Sequence, residues 1–138
     1  MAIVIDASIA ITWLFADERD ADSMAAAQFV LREGALVPSL WRWEVQNVLR
    51  NAEKRRRISG DEIGTILREL QALPITVDSI ASNIEFGAEL QLARRFSLTV
   101  YDAAYLELAA RRSLRLATKD AALEAAALQL DLLWTAPA

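Results

Sequence analysis

Four carboxylates sit where an α/β protein would need a reason to keep them. Asp6 directly follows the apolar run Ala2–Ile5, and Asp120 follows Arg115–Ala117 after Thr118 and Lys119. Short apolar runs of this kind predict buried strands, so both acids fall just past strand ends, at helix starts. Each suits a helix N-cap, and each is equally placed to hold a cation. Glu44 differs. It lies within the apolar stripe Trp41, Val45, Val48, Leu49 and Ala52 of a helix, where an unpaired carboxylate is costly. It therefore needs an arginine, a hydrogen-bond network or a metal. Asp102 stands three residues after Thr99, a Thr-x-x-Asp spacing that fits a capping box, and capping alone would explain it.

The chain contains no cysteine and no histidine. That excludes a Ser-His-Asp triad, a Cys-His pair, thiolate zinc sites, an HExxH site and a histidine general base. Hydrolytic chemistry would have to rest on carboxylates, lysine, tyrosine or metal-bound water. Metal-bound water is the strongest of these near neutral pH. Converging carboxylates repel one another, and a divalent cation resolves the repulsion. All-oxygen ligands favour Mg²⁺ or Mn²⁺ over zinc. Ser8 and Thr118 follow the same strand ends and are placed to hold ligands or waters, or to serve as ordinary turn residues. Asn47, one helical turn after Glu44, is placed to support it.

The elements that must position these groups alternate. Strands are expected at Ala2–Ile5, Ala35–Val37, Ile75–Val77 and Arg115–Ala117, with an edge strand at Asp131–Trp134. Helices are expected over 8–15, 20–32, 39–56, 59–72, 78–95, 99–112 and 120–128. Ser39, Asp78 or Ser79, and Thr99 are candidate caps, and Ser59 with Glu62 forms a capping box. Alternation predicts an α/β fold with a mostly parallel sheet and helices on both faces. In such sheets ligands lie beyond the carboxyl ends of the strands.

At 138 residues, 54% hydrophobic and 25% charged, the chain has the composition of one globular domain. No repeat or low-complexity linker divides it. No apolar run approaches the ~20 residues of a membrane span, and the N-terminus lacks a signal-peptide pattern, so a cytoplasmic protein is expected. The net charge of −4 argues against general coating of nucleic acid. Local basic residues remain: Arg50, Arg55 and Arg56 suit RNA phosphates but also a solvated helix end. Lys119 is placed to reach a phosphate or only solvent. Trp41 and Trp43 point in different directions on one helix, so both cannot face the same core.

The pattern resembles the PIN-domain family, specifically VapC-type toxins of bacterial toxin–antitoxin pairs. The anchors are Val4–Ser8, Val37–Trp41 leading to Glu44–Asn47, Tyr101–Leu108, and Leu116–Asp120. Four in this order cover essentially the whole chain. The resemblance implies a three-layer α/β/α sandwich around a parallel sheet of four or five strands. It also implies a Mg²⁺- or Mn²⁺-dependent endoribonuclease acting through Asp6, Glu44, Asp102 and Asp120, supported by Ser8, Asn47 and Thr118. A homodimer and a cognate antitoxin are implied as well. A receiver- or phosphatase-like phosphoryl-transfer domain is a second reading, and a PIN nuclease without a toxin role is a third. A non-catalytic interaction module, with the acids as caps alone, is a fourth.

Overall fold

Strands that are apolar on both faces have to be covered on both faces. The structure is a computed structural model that describes residues 1–79 and 86–138. In it β1 (Ile3–Ile5), β2 (Ala35–Val37) and β4 (Leu116–Ala117) are buried throughout, whereas β3 (Ile75–Val77) is a largely exposed edge. They form one parallel sheet in the order β3-β2-β1-β4. Val4 is its centre, aligned with Leu36 on one side and Leu116 on the other. Around it lie α1 (Ala7–Leu14), α2 (Ala21–Glu33), α3 (Leu40–Lys54), α4 (Gly60–Ala72), α5 (Ala88–Phe96), α6 (Val100–Arg112) and α7 (Ala121–Gln129).

Strand order fixes the layers. The chain steps from β1 to β2 to β3 in one direction, then returns past β1 to β4. Right-handed crossovers therefore put α1–α4 on one face and α5–α7 on the other. The main helix contacts agree, α1 with α2 and α3, and α6 with α5 and α7. The order reverses between β1 and β4, and a parallel sheet opens a crevice at such a point beyond the carboxyl ends. Among the described residues no helix is long and apolar enough to cross a membrane.

Local chemistry sets most element ends where the sequence places them. Asp20 and Ser23 exchange reciprocal capping bonds at the start of α2, and the Ser59 hydroxyl accepts from Glu62 N at 3.2 Å to start α4. Gly34 ends α2 at φ 84°, and a Cβ there would stand 3.3 Å from the Pro74 carbonyl oxygen. Two expectations need correction. Ser39 makes no capping hydrogen bond; it has helical dihedrals, and Trp41 N bonds the Pro38 carbonyl instead. The expected edge strand Asp131–Trp134 contracts to one parallel bridge, Leu133 with Leu116.

The helix expected from Asp78 or Ser79 falls partly on residues 80–85, outside the described residues. Of its described residues, 78–79 and 86–87 are not helical and 88–95 lie in α5, and the Asp78 carboxylate has charged partners. Its carboxylate, only 2% exposed, accepts from Arg111 at 2.7 Å and Arg112 at 3.5 Å. The pair fastens the end of β3 to the last turn of α6. Arg111 is 30% exposed, so its charge is partly hydrated already. Asp78→Ala should cost about 2–3 kcal/mol in urea unfolding, below the full penalty for breaking a buried pair. Arg112→Ala should cost under about 1 kcal/mol. Equal losses would show that Arg111 does not dominate the pair.

Candidate active site

The acids meet because three elements end or begin at the β1–β4 switch point. Asp6 leaves β1 and caps α1, its Oδ1 accepting from Ile9 N at 3.1 Å and from the Ser8 hydroxyl at 2.7 Å. Thr118, which leaves β4, donates its hydroxyl to Asp6 Oδ2 at 2.5 Å. Asp6 is 4% exposed. A carboxylate has about four acceptor positions, so these three bonds leave one, on Oδ2. The Ser8 oxygen also accepts from Lys119 N at 2.8 Å, and the Thr118 oxygen from Asp120 N at 3.0 Å. One hydrogen-bond set thus fastens the ends of β1 and β4 together.

Glu44 reaches the crevice from α3 on one face of the sheet, and Asp102 from α6 on the other. Glu44 is half-buried, and its partner is the hydroxyl of Tyr105, itself 1% exposed. Tyr105 stands three residues beyond Asp102, so one α6 face carries both the acid and the donor that steadies Glu44. Thr99 does cap α6, accepting from Asp102 N at 3.1 Å. Asp120 caps α7, accepting from Leu123 N at 2.9 Å. Capping and presentation at the crevice therefore coexist in Asp6 and Asp120, while Asp102 is presented from the turn that Thr99 caps. These four acids, with Ser8, Asn47 and Tyr105, line one cleft of about 290 Å³ floored by Ile11 and Val48. Thr118 braces it through Asp6.

The electrostatics carry the mark of like charges in a poorly hydrated place. Burial pushes the Asp6 carboxyl up to about 6, against the bonds from Thr118, Ser8 and Ile9, and Asp102 pushes the same way. Burial also raises Glu44, opposed by Tyr105 and assisted by Asp102. It raises Asp102, with Asp120 adding to the effect. Burial and the neighbouring Glu44 carboxylate hold the Tyr105 hydroxyl far above its ordinary value, so it remains a donor. No lysine or arginine is among the described residues lining this cleft. Among the described residues, no three His, Cys, Asp or Glu side chains stand close enough to enclose an ion as they lie. The donor chemistry nonetheless fits a hard divalent cation, with oxygen ligands alone and uncompensated negative charge.

The basic residues lie elsewhere. Lys119 turns from the cleft to Asp20, at 2.5 Å, and holds that carboxyl down at about 2. Arg50 pairs with Glu53 at 3.1 Å. Arg55 and Arg56 are exposed past the end of α3, about 16 Å along the helix axis from Glu44. Arg57 lies 3.9 Å above the Phe15 ring and bonds Asp17 at 2.9 Å. Trp41 joins the core, while Trp43 is 68% exposed. Trp13 donates to the Ser23 carbonyl at 2.8 Å. The sequence reading does not single out Tyr105 as a functional residue, although its spacing from Asp102 is an available signal.

Residues 3–128 match the PIN domain, and the chain belongs to the PIN domain family. PIN domains are generally nucleases, act on nucleic acid and typically use divalent metals. Among solved structures, the crystal structure of PAE2754 from Pyrobaculum aerophilum is similar at 23% identity and a TM-score of 0.64. The match covers 91% of this chain and 84% of that one, and it supports the fold. Among curated proteins, none matches the chain.

A raised Asp6 carboxyl has a consequence for stability. The folded protein holds this proton up to about pH 6, and the unfolded chain only to about 3.8. Stability from this group is therefore full below about pH 4 and lost as pH rises through 6. In chelator at pH 7, Asp6→Asn should raise stability by up to about 3 kcal/mol, because each pH unit between those two values is worth about 1.4 kcal/mol. At pH 4 the gain should shrink toward zero. A gain of the same size at both pH values would show that the charge of Asp6 is not its source.

Proposed function

We propose that this PIN chain is a Mg²⁺- or Mn²⁺-dependent endoribonuclease of the VapC kind, the toxin of a toxin–antitoxin pair. One observation carries the reading: carboxylates from both faces of the sheet line a single cleft with no lysine or arginine among the described residues that line it. Asp6, Glu44, Asp102 and Asp120 would hold the metal, with Ser8, Asn47 and Thr118 in support. A divalent cation bound there supplies an activated water and offsets charge on the phosphoryl oxygens.

The chain's own residues do the positioning. Ser8, Thr118 and Ile9 N fix the Asp6 carboxylate so that its one spare acceptor position is on Oδ2. Tyr105 holds one Glu44 oxygen and leaves the other unengaged by that bond. The Asn47 amide, beside Glu44, can donate to a substrate oxygen. Arg50, Arg55 and Arg56 would meet the RNA backbone beyond the cleft, with Lys119 nearer to it. The burial of Asp6 and the three bonds it accepts speak against a phosphoacceptor aspartate of the receiver or phosphatase type. The resemblance to VapC toxins supports a cognate antitoxin, a homodimer, a single PIN unit and a cytoplasmic setting.

RNA incubated with Mg²⁺ or Mn²⁺ should be cut to products with 5′-phosphate and 3′-hydroxyl ends, and EDTA should abolish cutting. Asp6→Asn should lower the rate roughly 100-fold or more, and Tyr105→Phe about 10- to 100-fold through the loosened Glu44. Undiminished cutting in EDTA would exclude the metal role. Mn²⁺ should also raise the melting temperature of the wild type and not of Asp102→Asn, a readout independent of catalysis. For the toxin role, expression should arrest growth in the wild type and not in Asp6→Asn; equal growth of the two would refute it.

A further inference from the structure

The carboxyl end of β4 has a second side. Thr118, whose hydroxyl closes on Asp6, is also a wall of a separate cavity of about 290 Å³. Its other polar walls are Lys119, Asp22 from the first turn of α2, Glu124 from the first turn of α7, and Thr135. Trp134 supplies an aromatic wall. That ring is held in place: Trp134 N donates to the Leu116 carbonyl at 2.9 Å, and the ring meets Phe29 edge-on at 5.7 Å.

The walls select a kind of ligand. Lys119 is drawn to Asp20, which leaves Asp22 and Glu124 to set the local charge. Two carboxylates repel a phosphate. They accept hydrogen bonds from N–H groups, and an indole ring beside them offers a stacking face. Ligand pockets generally run from about 300 to 1,000 Å³, so this one is at the small end and is sized for a planar ring rather than a chain of nucleotides. Guanine fits best. Its adjacent N1–H and N2–H groups match the two oxygens of a carboxylate. Uracil offers one N–H flanked by carbonyl oxygens, which a carboxylate repels.

We propose that this cavity is a base-recognition subsite, taking guanine from a nucleotide next to the bond cut in the acidic cleft. The inference rests on the ribonuclease reading above. Thr118 lines this cavity and bonds Asp6, which lines the cleft, so a strand passing Asp6 can turn a neighbouring base in behind Thr118. Asp22 and Glu124 would accept from the base edge, and Trp134 would pack on its face. Cleavage chemistry and base choice would then belong to different residues on the two sides of one side chain.

Two measurements test this together. In the first, each of the four nucleosides is titrated into the metal-free wild type while the Trp134 indole N–H resonance is followed. Guanosine should shift it and saturate, uridine should not, and Glu124→Gln or Asp22→Asn should weaken guanosine at least about fivefold. Equal response to all four nucleosides, or none, would overturn the subsite. In the second, cut sites in a randomised RNA are mapped for the wild type and for both variants. A guanine preference at one position beside the cut should fall at least about fivefold in the variants, with total cutting retained. Retained cutting with an unmoved preference overturns the subsite alone. No metal-dependent cutting by the wild type overturns the ribonuclease reading instead, and the nucleoside titration still decides the pocket.

Discussion

The bond from Thr118 to Asp6 is the constraint on which the site depends. It joins the ends of β1 and β4, the two strands between which the chain reverses its direction across the sheet. A crevice must open there, because consecutive crossovers diverge to opposite faces. The carboxylate at the end of β1 is consequently deep, and three hydrogen bonds from Thr118, Ser8 and Ile9 N do not fully replace the water it has lost. Burial accordingly raises its carboxyl, and the charge of Asp102 adds to the effect. The fold thus leaves an anion at its switch point that a cation would relieve.

The same reversal explains why the cleft draws on both helical layers. Glu44 comes from the α1–α4 face and Asp102 from the α5–α7 face, and the Tyr105–Glu44 bond joins the layers over the strand ends. Each acid is also tied to a local structural duty or partner. Asp6 and Asp120 cap helices, Asp102 N receives the Thr99 cap, and Glu44 has Tyr105. A cap is worth about 1 kcal/mol, which offsets part of the cost of crowding like charges. It also orients the carboxylate, since the bonded oxygen fixes where its remaining lone pairs point.

The sequence makes the layers legible because its signals are local. Apolar runs mark β1, β2 and β4, and capping pairs such as Ser59 with Glu62 mark helix starts to within a residue. The strand ends likewise mark Asp6 and Asp120, and an acid inside an apolar stripe marks Glu44. What is not legible depends on distant partners. Asp78 reads locally as a helix cap, and nothing near it in the chain signals Arg111 and Arg112, more than thirty residues away, which bond its carboxylate. Asp131–Trp134 reads as a strand, but its pairing with β4 contracts to the one bridge Leu133–Leu116, made by the Leu132 carbonyl and Trp134 N. Tyr105 shows its role only when α6 packs across from α3. Trp134, the last residue of the expected edge strand, becomes the wall of a cavity once β4 and α2 are assembled beside it.

On the ribonuclease reading proposed above, an acidic chain must gain affinity for RNA from something other than a basic surface. Several of its cations are already committed: Arg57 to Asp17 and Phe15, Arg111 and Arg112 to Asp78, Lys119 to Asp20. A metal in the cleft would provide concentrated positive charge at the phosphate to be cut, where a diffuse basic patch would bind phosphates along the whole strand. That arrangement disfavours unselective retention of long RNA, and it shifts the burden of selection to contacts with bases. The negative walls behind Thr118 suit such a task, because carboxylates repel the backbone while accepting from base N–H groups. On the proposed reading, low net charge and base selection are two outcomes of one economy of cations.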